Sequence, residues 1–405
     1  MKTTKGDRNY RISEYNDIPE VRQTLNFPEE VYIVDSTIRS LQSGASGGHC
    51  TARDLVDIGI ALDALGVREL IVNLTWKYGI EVCEGLAKAN LRCKLVGVVP
   101  FYNPVWQKVI DQGAMAGVDE ICVSSAANGE QIELAAELCH KNGKGISHEF
   151  AKLYSYPQVI DLCKKGIRCG YQSQSFHDSF SLFRFAITPE GIKYFISSLR
   201  RDIPGMPPIH VHFSNLFGHA TMVAVAALAA GANAPDVSMN GIGHHSGHTP
   251  LEEVVAVLEC LYGVNTGINL KCLRDVSRLV QERSGIPVPI SKPITGDYAF
   301  LIDGHFRANE ANLPEEQKYH ALFPFLPAQV GSQERVIWSD KQILPQSIRW
   351  KLSSMELPFD DQHVDRILNR MGEILREKPL YPNWLTDAEF EEICREVVLD
   401  HSFSP

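Results

Sequence analysis

Eight short apolar, β-branched runs alternate with longer, helix-patterned segments from residue 31 onward, and no other feature narrows the fold as far. The runs are Val31–Asp35, Leu70–Leu74, Lys94–Pro100, Glu120–Ser124, Ile146–Glu149, Ile167–Gln172, Ile209–Phe213 and Val237–Gly241. Between them lie segments long enough for helices, such as Ala52–Leu65, Gln131–Lys141, Thr188–Arg201 and Gly218–Ala230. A strand that returns through a helix pairs parallel with the next strand, and eight such units are what a (β/α)8 TIM barrel requires. A doubly wound open sheet shares the alternation, and the count of eight favours the barrel. Thr188-Pro189 and Thr249-Pro250 each place an N-cap before a proline at the first helical position, and Thr249 to Glu252 spells a capping box.

The texture changes after the eighth unit. Residues 263–284 read as one more helix, and Gly285–Pro293 is proline-rich and loop-like. A short β-like run follows at Arg335–Trp338. Val364, Ile367, Leu368, Met371, Ile374 and Leu375 fall at helical spacing, and Thr386 to Glu389 caps a last helix. The expected division is an N-terminal arm over 1–30, an α/β barrel over 31–285, and a linker with a smaller, mainly helical subdomain over 286–405.

Composition excludes several partners. The net charge of −10 is interleaved rather than blocked, and no basic stripe offers a footprint for nucleic acid or an anionic membrane surface. The longest apolar stretches, such as Met222–Ala230, fall short of the roughly 20 residues of a membrane span. Ten cysteines are scattered without a C-x-x-C, which reads as reduced thiols in a cytoplasmic compartment. Cys50 and Cys122 have no base beside them in sequence and read as packing. A small-molecule partner is therefore expected.

Barrel enzymes carry their chemistry at the C-terminal ends of the strands. The first run ends in Asp35, followed by Arg39: a carboxylate for a metal and a cation for a developing oxyanion, or simply a salt bridge at a strand end. The seventh ends His210-Val-His212, and period-two alternation points both imidazoles to one side. The eighth leads into His244, His245 and His248. Six of the fourteen histidines thus lie between 210 and 248, which favours a divalent metal site over a hydrogen-bonded network. Thr37, Ser124 and Asn215, also at strand tips, join Arg39 as candidate substrate-binding groups. His148-Glu149 could serve acid/base chemistry or a structural network, and His177-Asp178 reads as a loop pair.

The order of these motifs resembles the DRE-TIM metallolyase superfamily, and within it the Claisen-condensing branch of isopropylmalate, homocitrate and citramalate synthases. Asp35-Ser-Thr-Ile-Arg39 is similar to the family's opening D-x-T-x-R. Gly241 to Val255 resembles its G-x-G-x-x-x-G-N-x-x-L-E-E-V-V, with His248 in place of asparagine. Ser291 to Gly296 with Ala299-Phe300, and Val330 to Arg335, resemble segments beyond the barrel. The resemblance implies Asp35 as a metal ligand and Arg39 as oxyanion stabiliser. It implies either His212 with His248, or the pair His210 and His212, as further ligands. His305 would be the base that prepares the acyl donor. The chain departs from the family at Ser40-Leu-Gln-Ser43 and at Ile71, where the family has acidic residues. The implied reaction condenses an acyl-CoA, by expectation acetyl-CoA, with a 2-oxo acid. The implied cofactor is a divalent ion (Zn, Mn, Fe, Co or Mg), and the implied assembly a homodimer. A metal-dependent lyase running the bond chemistry backwards, and a non-catalytic ligand-binding barrel, are the rival readings.

Overall fold

The computed structural model describes Tyr10 and residues 12–178, 183, 184, 186–314, 322–341 and 343–399. Eight strands form one closed parallel barrel: β1 (Val34–Asp35), β2 (Glu69–Asn73), β3 (Lys94–Pro100), β4 (Glu120–Ser124), β5 (Gly145–Phe150), β6 (Gln174–His177), β7 (Ile209–His212) and β8 (Ala234–Val237). Closure comes from β1 pairing with β8, Val34 opposite Asp236. The helix Ala52–Leu65 opens on a reciprocal capping box between Thr51 and Asp54, and Thr188 caps the helix Pro189–Asp202 through the Gly191 amide. The capping box expected at Thr249 does not form. Thr249 is fully buried, with its hydroxyl on the Phe213 carbonyl, and the Glu252 carboxylate accepts from the Asn240 amide instead.

Two strands lie away from their expected positions, for related reasons. Ile167 lies in the last turn of the helix Tyr156–Arg168, whose buried stripe is Val159, Leu162, Cys163 and Gly166, and the sixth strand is the polar Gln-Ser-Phe-His after it. The eighth strand is Ala-Pro-Asp-Val, ahead of the apolar run, and residues Met239–Gly241 form a tight turn with Asn240 at a positive φ of 61°. Neither strand has the β-branched run that marks the other six. Inward positions carry polar side chains at Ser175 and His177 of β6 and at Asp236 of β8.

The barrel interior is layered. Val34, Ile71, Val96, Val98, Cys122 and Ala234 form its apolar filling, with Tyr32 packed against them. At the start of the strands Lys94 Nζ bridges Glu120 (2.9 Å) and Glu69 (3.2 Å), and the Tyr32 hydroxyl meets His210 Nε2 at 2.9 Å. These groups close the floor.

The chain divides into two compact units, one comprising Ile12–Pro289 with Pro293–Thr295, the other Ile290–Lys292 with Gly296–Pro405. The second unit contains a three-stranded sheet in the order β11 (Leu385–Thr386), β10 (Arg335–Trp338), β9 (Leu301–Asp303). Helices Pro345–Ser354, Asp361–Glu377 and Asp387–Leu399 surround a core of Trp338, Ile348, Ile367, Met371 and Phe390. Trp338 stacks on Phe390 at 4.0 Å, and its indole N–H donates to Asp387, which also takes the Lys351 ammonium at 2.8 Å. Thr386 and Glu389 form the expected cap. Among the described residues, no helix is long and apolar enough to cross a membrane.

Candidate functional site

Parallel register sets one row of side chains across three adjacent strands at the barrel mouth. His177 of β6 is opposite His212 of β7, and His212 is opposite Asp236 of β8. All three are buried, and each offers one ligand atom within 4.8 Å of the other two. The two imidazoles stack with centroids 4.4 Å apart. His212 Nδ1 faces Asp236 Oδ2 at 3.1 Å, and His177 Nε2 lies 3.8 Å from the same oxygen. His177 Nε2, His212 Nδ1 and Asp236 Oδ1 are buried without a hydrogen-bond partner among the described residues. Leaving such atoms unpaired away from water costs free energy, unless something binds them. Two imidazole nitrogens and one carboxylate oxygen are a donor set for a divalent cation of borderline softness. These residues therefore fit the implied metal.

The electrostatics of His177 and Asp236 agree with that reading. Burial pushes His177 down to about 3, against the pull of Glu149, so its ring is neutral at physiological pH. Burial would also lower His212, but the Asp236 carboxylate outweighs it and raises that imidazole. Asp236 in turn is held well below the ordinary carboxylate range: burial opposes its charge, and His212 and His177 overcome the penalty.

Beside the row is a buried ion pair. Arg39, on the short helix Thr37–Gln42 after β1, reaches across the mouth to Glu149 on β5 through two parallel bonds, Nη1–Oε2 at 2.5 Å and Nη2–Oε1 at 2.9 Å. Ser124 Oγ donates to the same carboxylate at 2.8 Å, and His177 Nε2 lies 3.3 Å from it. Burial would raise the Glu149 pKa, yet Arg39, His177 and the hydrogen bonds hold it at about 2. Glu149 is thus a permanent anion that orients Arg39, not a group that exchanges protons near neutrality.

Histidines line the opposite rim. The His248 ring packs edge-on to His212 with centroids 4.3 Å apart, and its Nδ1 is 3.3 Å from Ser40 Oγ. His244 Nε2 meets Ser43 Oγ at 2.7 Å. A Cβ on Gly243 would sit 2.5 Å from the His248 ring, so glycine is what admits the imidazole there. Between these walls is a cavity of about 220 Å³.

Several expected groups have partners of their own. Asp35 faces away from the interior, opposite in alternation to Val34, and its carboxylate accepts from the Thr37 amide (2.8 Å) and hydroxyl (3.0 Å). Burial raises its pKa to about 7. The Thr37 hydroxyl accepts from the Met239 amide and ties β1 to the turn after β8. His210 belongs to the next row down, opposite Ser175 and Ala234, where it meets Tyr32. With its Nε2 on Tyr32, His210 does not belong to the group of buried ligand atoms that His177, His212 and Asp236 form among the described residues. Asn215 accepts from the Ala220 amide and caps the following helix. His305 has its ring nitrogens on Ser347 and Asn309, both within the second unit. Arg39, Ser124, Glu149, His212 and His248 all line the mouth cavity.

His177 and Asp236 were not anticipated as ligands. They are on the two strands whose positions the apolar runs misplaced, and the signal that could have found them is polar alternation, Ser173–Ser175–His177 and Asp236–Ser238. Because His210 is in the floor, His210→Gln is expected to keep the wild-type metal content, measured by elemental mass spectrometry. Loss of the ion in that variant would move the site one row down.

The HMGL-like family model matches residues 130–280. The homocitrate synthase AksA of Methanocaldococcus jannaschii is 26% identical over 394 residues, covering 91% of each chain. The 2-isopropylmalate synthase of the same organism is 28% identical over 94% of this chain and 74% of its own. Among solved structures, the HMG-CoA lyase of Bacillus subtilis superposes with a TM-score of 0.55 at 19% identity, over 65% of this chain and 97% of its own, a likeness of fold.

Proposed function

Because this chain carries an HMGL-like (DRE-TIM) domain and is a divergent member of that family, we propose that its barrel mouth condenses an acyl-CoA with a 2-oxo acid in a metal-dependent Claisen reaction. The observation that carries the proposal is the set of three buried ligand atoms on His177, His212 and Asp236, all within 4.8 Å of one another, beside a fixed guanidinium in the same cavity. Relatives named as synthases align along most of this chain, so acyl transfer is preferred to cleavage.

His177, His212 and Asp236 would hold the divalent ion. When bound, such an ion supplies Lewis-acid polarisation of a carbonyl and charge to match a carboxylate. Arg39 carries the second half of the chemistry: its guanidinium stays charged, and Glu149 keeps it pointed at the cavity where an alkoxide forms as the new C–C bond closes. Pre-orientation by a bidentate partner means little reorganisation is needed at the moment of reaction. Ser124 anchors that carboxylate from the neighbouring strand. His305 is our candidate for taking the proton from the acyl methyl group. Ten free cysteines suit a reducing compartment, and a cytoplasmic homodimer is the proposed setting.

The test is thiol release. Metal-loaded protein given acetyl-CoA and a panel of 2-oxo acids should liberate free coenzyme A only when metal and acid are both present. Failure to release thiol with any acid, from protein holding one ion per chain, would overturn the proposal.

A further inference from the structure

We propose that the barrel interior just beneath the mouth holds one ordered water molecule, and that this water keeps Asp236 turned toward the two imidazoles of its row. The role given to the water rests on the metal reading above; the solvent site itself does not.

Barrel interiors are usually filled in layers by bulky branched side chains. Here only one side is. Strands β1 to β3 contribute Val34, Ile71, Val96 and Val98. Facing them are Cys122 of β4, Ser147 of β5, Ser175 of β6 and Ser173 just ahead of it. These short side chains leave a second cavity of about 20 Å³, below the mouth row. One water needs about 10–15 Å³, so the space takes a single molecule.

The walls supply its partners. On the mouth side the cavity meets Glu149 and Asp236, and on the floor side His210. Ser147, Ser173 and Ser175 are each no more than 8% exposed, and a hydroxyl both donates and accepts. Asp236 Oδ1 is buried without a hydrogen-bond partner among the described residues. An apolar cavity stays dry, whereas a polar one offers the roughly two to four partners that hold a water. A water donating to Oδ1 and accepting from a serine satisfies both groups.

The consequence falls on the other oxygen of that carboxylate. Asp236 Oδ2 faces His212 Nδ1 at 3.1 Å and His177 Nε2 at 3.8 Å. A carboxylate turns about its Cβ–Cγ bond, so a hydrogen bond on Oδ1 fixes the direction of Oδ2. Groups that orient a ligand in this way are worth about tenfold to a hundredfold in metal affinity.

Crystal structures of the metal-free full chain and of two variants at Ser175, which is opposite Glu149 and His210, provide the test. Ser175→Val places methyl groups where the water sits, and Ser175→Ala leaves the room and the remaining partners. Density for one water is expected in the wild type and in Ser175→Ala, and none in Ser175→Val. Zinc titration against a competing chelator should show binding at least about tenfold weaker in Ser175→Val and within about threefold of wild type in Ser175→Ala, with both folds verified by circular dichroism. If Ser175→Val does not fold, Ser147→Val takes its place. A dry cavity in the wild type overturns the inference, and so does a valine variant that excludes the water yet binds zinc as the wild type does. Wild-type density without zinc uptake would leave the solvent site standing and remove the metal reading.

Discussion

Asp236→Asn is expected to strip the protein of its metal and reduce turnover to background. Asp236 is the single anion of the row, and it faces His212 at 3.1 Å and His177 at 3.8 Å. An amide keeps the shape but removes the charge that balances a dication. Loss of a group that only supports a ligand costs tenfold to a hundredfold in metal affinity, so loss of the anionic ligand itself should exceed about a hundredfold. The change should also return the His212 pKa downward, since the Asp236 carboxylate is what raises it against burial. Elemental analysis after dialysis reads the metal, and circular dichroism verifies the fold. Asp35→Asn is the matched control: its carboxylate faces away from the interior, on Thr37, so that variant should retain the ion. Stoichiometric metal in Asp236→Asn, or loss in Asp35→Asn, would place the site elsewhere.

Arg39→Met should damage stability and rate by separable routes. It leaves Glu149, with a side chain 2% exposed, as a buried carboxylate without its main partner. Breaking a buried pair from one side costs about 3–5 kcal/mol. Adding Glu149→Gln removes the stranded charge and should restore most of that stability, while the rate stays low. Losing a charged group aimed at a developing oxyanion costs about 10²–10³ in kcat. The pH dependence has a definite sign. Glu149 is depressed from 4.5 to about 2 in the fold, so its contribution is present above 4.5 and fades as pH falls toward 2. In Arg39→Met that acid-side loss should shrink, because the folded-state pKa rises. Denaturant unfolding at several pH values checks both claims, and a double variant no more stable than the single one would show that the pair is not the origin of the loss.

These predictions lean on residues of unequal visibility in the sequence. Arg39 was legible because it follows the first strand run at a defined spacing from Asp35, and His212 because it belongs to the H-x-H at the end of the seventh. His248 was legible as a histidine in a glycine-rich turn, although only the packing shows Gly243 making room for it. His177 and Asp236 were not, because β6 and β8 have polar inward positions that erase the apolar run by which a strand is found. The Arg39–Glu149 pair was hidden for a different reason. Its members are 110 residues apart and meet only across a closed mouth.

By itself, the sequence determined the eightfold alternation, and with it a parallel barrel whose chemistry lies at the strand ends. It also determined the chemical inventory near β7 and β8, since clustered histidines can be counted without coordinates. The tertiary structure decided which of them act together. Register is a long-range property: His177, His212 and Asp236 form one row because β6, β7 and β8 hydrogen-bond in that alignment. His210 falls in the row below, although it is only two residues from His212 and on the same face. The side to which each side chain points follows from local alternation, but the height at which strands align depends on pairing around the whole closed sheet. That is why the inward direction of His210 could be read from the chain, and its place in the floor could not.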